Sequence, residues 1–196
     1  MKPAVVVVDM LVDNIHGEPG SPMSRAALAV VPAINRLLDA AHARGWPVCF
    51  ACDSFLPGDF LFGGRMKPHA LRGTPGADPI PELHRDPGDE VLRKRRFSAF
   101  FKTDFDQTLR TRGADTVLVA GIATNFCVLA TAFDAVCHDF RAVLVEDACA
   151  AAKPEWHEAT LSCYRRNILH PLLRVRTVDE LLAEADEPSG PGTPRE

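Results

Sequence analysis

The 196-residue sequence lacks any apolar stretch of the roughly 20 residues that a membrane-spanning helix needs. Its first apolar run, Ala4 to Val8, stops at Asp9, too soon for a membrane span or for the apolar core of an export signal. It also lacks a basic excess. Lys and Arg number 22 against 26 Asp and Glu, a net charge of −4. That excludes the electrostatic footprint of a nucleic-acid or anionic-membrane binder. The one basic cluster, Arg93-Lys94-Arg95-Arg96, lies between Leu92 and Phe97. Without an export signal, the six cysteines (49, 52, 127, 137, 149 and 163) are expected as reduced thiols in the cytoplasm. Cys49-Phe50-Ala51-Cys52 has zinc or redox spacing, but no second pair completes a metal site. An odd offset inside a strand also puts the two thiols on opposite faces.

What is there is a soluble composition, 46% hydrophobic and 24% charged, in one chain of single-domain length. The domain is expected over 1–185. The Pro- and Gly-rich segment 186–196 is expected to remain a disordered tail. Apolar runs read as strands at 4–9, 47–53, 90–94, 115–120, 141–146 and 172–176. Between them lie helical patterns at 103–112, 125–138, 154–167 and 178–185. A further helix, capped by Ser24, runs toward Ala43, with Leu28, Val31, Ile34, Leu38 and Ala41 on one face. Pro32 suggests that it starts only near Val31. Residues 54–87 form a long loop, of the kind that makes a lid or pocket wall. Strands alternating with helices predict a three-layer α-β-α fold around a six-stranded parallel sheet.

In such a sheet the ligand sits beyond the carboxyl ends of the strands. Asp9, Lys94 and Cys127 lie at three of those ends, and Asp53 at a fourth. Cys127 falls where the strand ending near Ala120 turns into a helix. Amides of a helix's first turn favour a thiolate, lowering its pKa from about 8.5 toward roughly 3.5–7.5. They also offer oxyanion donors. A thiolate attacks a carbonyl carbon, and a nearby carboxylate can take the thiol proton and return it to a leaving amine. A lysine steadies both charges. The expected chemistry is amide hydrolysis through a thioester, with no cofactor and no metal.

These residues resemble the isochorismatase-like superfamily of cysteine hydrolases. The resemblance rests on Val6-Val7-Val8-Asp9-Met10, on the run from Pro68 to Ala77, on Lys94 to Asp104, and on Gly121-Ile122-Ala123-Thr124-Asn125-Phe126-Cys127. It implies an Asp9–Lys94–Cys127 triad and a cis peptide between Ile122 and Ala123. It further implies an oxyanion hole from the amides of Ala123 and Cys127, and a homodimer or homotetramer. True isochorismatases lack the cysteine, so vinyl-ether hydrolysis is disfavoured. Nicotinamidases carry a metal site reading Asp-x-His plus a later His. Asp53 and His69 match two of these ligands, but Phe55 stands in the middle position. Asn14 stands where that branch carries an aromatic residue that stacks on the pyridine, and Met66 where it carries a tryptophan. Asn14, Phe55, Met66 and His69 are therefore expected to form the pocket wall for a small amide, ureide or lactam. The other readings are a nicotinamidase with a degraded metal site and a non-catalytic binding homologue.

Overall fold

Continuous apolar runs become strands in this chain because both faces of the sheet are covered. The structure, a computed structural model, describes residues 1–187. Its strands are β1 (Pro3–Val8), β2 (Val48–Asp53), β3 (Glu90–Lys94), β4 (Thr116–Ile122), β5 (Arg141–Ala150) and β6 (Leu173–Arg176). They form a six-stranded sheet in the order β3-β2-β1-β4-β5-β6, with every pair parallel. Helices α1 (Val12–Ile15), α2 (Pro22–Arg44) and α6 (Val178–Asp186) cover one face. Helices α3 (Phe105–Thr111), α4 (Leu129–Cys137) and α5 (Pro154–Arg165) cover the other. This is the expected three-layer α/β architecture. Among the described residues no helix is long and apolar enough to cross a membrane.

The period-2 alternation of a strand divides the core into two. Val5 and Val7 of β1 pack under α2, while Ala4, Val6 and Val8 face α3 and α4. Cys52 belongs to the first cluster and Cys49 to the second, so this CxxC pair is split by the sheet. All six cysteines are free thiols.

Several boundaries differ from the sequence reading. Helix α2 starts ten residues before Pro32 and runs straight through it. Ser21, not Ser24, is the cap: its side chain accepts a bond from the Ser24 amide at 3.2 Å, and Pro22 takes the first helical position. Pro32 and Leu28 are exposed, so the Leu28 carbonyl that Pro32 cannot satisfy faces water. The buried stripe accordingly uses Ala27 rather than Leu28. Strand β5 continues to Ala150, past a register shift opposite Val119–Gly121. The expected tail lies outside the described residues, apart from Asp186 at the end of α6 and Glu187, which caps it.

The strand order reverses around β1 and β4, the place where open α/β sheets form a crevice. There the two backbones come very close. Gly121 has φ +106°, and a Cβ on it would lie 2.2 Å from the Val8 carbonyl oxygen. Replacing Gly121 with Ala should therefore cost about 2–4 kcal/mol, from both the positive φ and the overlap. Urea unfolding measures this; a loss below about 0.5 kcal/mol would show that β1 and β4 can part without penalty.

Candidate active site

Four strand ends deliver four ionisable side chains to one point. Asp9 follows β1, Asp53 ends β2, Lys94 ends β3, and Cys127 lies in a wide π-type turn, Thr124–Val128, between β4 and α4. Lys94 is completely buried. Its Nζ donates to Asp9 Oδ2 at 2.8 Å and to Asp53 Oδ1 at 2.6 Å. The Asp53 amide in turn donates to Asp9 Oδ1 at 2.9 Å. One ligand atom each from Asp9, Asp53 and Cys127 lies within 4.8 Å of the others. Asp9 itself adopts φ +52°, a left-handed conformation uncommon for a residue with a side chain. Asn14, on α1, holds that turn by donating from Nδ2 to the Asp9 carbonyl at 2.9 Å.

The electrostatics follow from burial and from the surplus of acids over cations. Burial works against the Lys94 charge, but Asp9, Cys127 and Asp53 together outweigh it and raise its pKa. Burial, aided by Asp9, pushes the Asp53 carboxyl up to about 7 against the pull of Lys94. Burial and then Asp9 also drive the Cys127 thiol well above its ordinary value, and Lys94 only partly opposes this. The sequence expectation of a lowered Cys127 pKa is thus corrected in direction: burial raises it. The amide dipoles near it are outweighed by burial and by two neighbouring acids.

The peptide between Ile122 and Ala123 is cis, as the resemblance implied. Beside the sulfur opens a cavity of about 280 Å³. Asn14, Met66 and His69 line it, together with Met23, Phe97 and Phe126. Phe55 does not join them. It is buried behind the wall, with its ring edge-on to Phe62 and His69 at 5.3 Å in each case. As the second residue past Asp53, it turns into the core under the loop.

That loop is pinned rather than free. Asp13 Oδ2 accepts from the Ala70 amide at 2.7 Å, and Gly76 leaves room for the Asp13 carboxylate, which a Cβ there would meet at 2.2 Å. Farther along, the buried Asp59 carboxylate takes Arg95 at 2.7 Å and Arg96 at 3.1 Å. Several contributors were not among the expected pocket residues. Met23, Phe97 and Phe126 line the cavity as well. His157 shares a 2.9 Å hydrogen bond with the buried Thr124 at the start of the cysteine turn, and burial holds its pKa low. Their separation of 33 residues left no local signal.

A nicotinamidase-type metal does not fit these residues. Phe55 offers no donor atom. Asp53 Oδ1 is bonded to Lys94, and His69 Nδ1 lies 2.8 Å from the Lys67 carbonyl. Asp9, Asp53 and Cys127 are close enough to grip an ion, but the Lys94 ammonium already bridges the two carboxylates.

Known proteins share this layout. The family model "Isochorismatase domain" matches residues 3–177. A ureidoacrylate amidohydrolase RutB from Methylobacterium radiotolerans is 32% identical over 185 residues, covering 81% of this chain and 71% of that protein. A maleamate amidohydrolase from Pseudomonas putida is 32% identical over 167 residues, covering 82% and 78%. The crystal structure of an N-carbamoylsarcosine amidase from Thermoplasma acidophilum superposes with a TM-score of 0.76 at 34% identity, covering 97% of this chain and all of that one. The chain belongs to the isochorismatase-domain family.

Proposed function

We propose that this protein is a cysteine-dependent hydrolase that opens the C–N bond of a small amide, ureide or lactam. The observation that carries the reading is the convergence of the Cys127 sulfur and the Asp9 carboxylate on a buried Lys94 that already holds that carboxylate at 2.8 Å. Asp9, held by Lys94, takes the Cys127 proton as sulfur attacks the carbonyl carbon. The Ala123 and Cys127 amides receive the oxyanion, each such donor lowering the barrier by about 3 kcal/mol. Asp9 then passes the proton to the departing nitrogen, leaving a thioester. Water, deprotonated by Asp9, opens the thioester and restores the thiol. A raised Cys127 pKa suits this cycle, because the proton moves only when a carbonyl is in place. The amidohydrolase names of the relatives support the bond type but leave the substrate open.

Changing Cys127 to Ala should lower turnover by about 10⁴ or more while leaving thermal unfolding near that of the wild type. Ammonia release from a panel of small amides, ureides and lactams measures it. Retained turnover would remove the thiol from the mechanism.

Asp53 supplies a pH-dependent check. Its carboxyl binds a proton more tightly in the folded protein than in the unfolded chain, about 7 against an ordinary 3.8. The folded state therefore holds more protons between those values, and its stability falls as pH rises through that window. Asp53→Asn has no such proton. The variant should gain stability relative to the wild type from pH 5 to pH 8 in urea titrations. A relative loss over that range would mean that the Lys94–Asp53 pair stabilises the ionised form.

A further inference from the structure

We infer that the chamber beside Cys127 selects uncharged carboxamides and rejects acyl groups that carry a carboxylate, a conclusion that rests on the hydrolase reading above. The relatives are named for ureidoacrylate and maleamate, both acids. A chamber built for such a group needs a cation aimed into it. Among the described residues lining this one, none is a lysine or arginine. The nearest ammonium, Lys94, has no exposed surface and already donates to two carboxylates. Those carboxylates, Asp9 and Asp53, do line the chamber, and Lys94 is already engaged with both, so an incoming anion would find no free cation.

The neutral polar groups point the same way. Asn14 uses one Nδ2 hydrogen on the Asp9 carbonyl, which leaves its carbonyl oxygen and a second N–H unspent. His69 sets Nδ1 against the Lys67 carbonyl, so Nδ1 is the donor there and Nε2 is the ring nitrogen left to meet a ligand. Asn14 and His69 can match the N–H and C=O edges of a carboxamide, and neither is a lysine or arginine. The remaining wall is apolar. The rings of Phe97 and Phe126 stand 6.1 Å apart at a 37° tilt, 38% and 56% exposed. A flat, uncharged substrate covers these faces, and a charged one leaves them wet.

The adjoining groove, which shares Asn14, Met23, Met66 and His69 with the chamber, does hold cations, but neither of them lines the chamber itself. Lys67 is paired with Glu18 at 3.0 Å, and Arg65 lines the groove without entering the chamber.

Two alkylating probes that differ only in charge test the inference without any turnover. Iodoacetamide and iodoacetate are reacted with the folded protein at pH 7.5, and the Cys127 peptide is quantified by mass spectrometry. N-acetylcysteine in the same tube gives each reagent's intrinsic rate. Cys127 should prefer iodoacetamide over iodoacetate by at least about tenfold more than the reference thiol does. The same preference should persist in Arg65→Ala. A ratio equal to the reference, or a bias toward iodoacetate, would overturn the inference by revealing a usable cation near the sulfur. A second arm compares maleamate with the diamide of maleic acid. The diamide should show at least about 100-fold higher kcat/KM, and equal or better use of maleamate would again overturn the inference. If neither compound is turned over, the alkylation ratio still decides the charge preference, and only the choice of test substrate has failed.

Discussion

The structure turns on one buried ammonium. Lys94 has no contact with solvent, and a lone charge in that position would be untenable. It persists because Asp9 and Asp53 stand at hydrogen-bond distance on either side. Breaking such a pair commonly costs 3–5 kcal/mol, since the remaining charge stays buried. The three side chains come from the ends of β1, β2 and β3, which lie side by side in the sheet. The ion cluster therefore depends on strand register, and the geometry of the site depends on the ion cluster. The same arrangement determines the state of the sulfur. Burial and two acids that share one cation both push the Cys127 thiol above its ordinary pKa.

The rest of the fold serves to close this point off from water. The β1–β4 approach, which only Gly121 permits, brings Asp9 and the cysteine turn to one crevice. The 54–87 segment crosses over it and is held by Asp13, by the Asp59 pair with Arg95 and Arg96, and by the packing of Phe55 beneath His69. None of these contacts touches the sulfur. Together they decide that the chamber is small and largely apolar.

Much of this was legible in the sequence. Strands that end in Asp9, Asp53 and Lys94, and a cysteine at a strand-to-helix turn, are local patterns, and local patterns survive in the tertiary structure. The cluster of site residues follows from them by sheet topology alone. What was not legible depended on distance or burial. Phe55 has the composition of a pocket residue, and only the fold of the loop turns it into the core. Asp53 reads as a rim acid until the register places Lys94 between it and Asp9. The pKa of Cys127 moved opposite to expectation because turn dipoles are visible in sequence and burial depth is not. Pro32 seemed to delay a helix, yet its exposed position made it tolerable.

The most direct test of the covalent route is product partitioning with hydroxylamine. Several substrates sharing one acyl group but bearing different leaving amines are turned over in its presence, and the ratio of hydroxamate to acid is measured. A common Cys127 thioester requires the same ratio for every leaving group. A ratio that changes with the leaving amine would mean that water attacks the amide directly and that Cys127 forms no acyl intermediate.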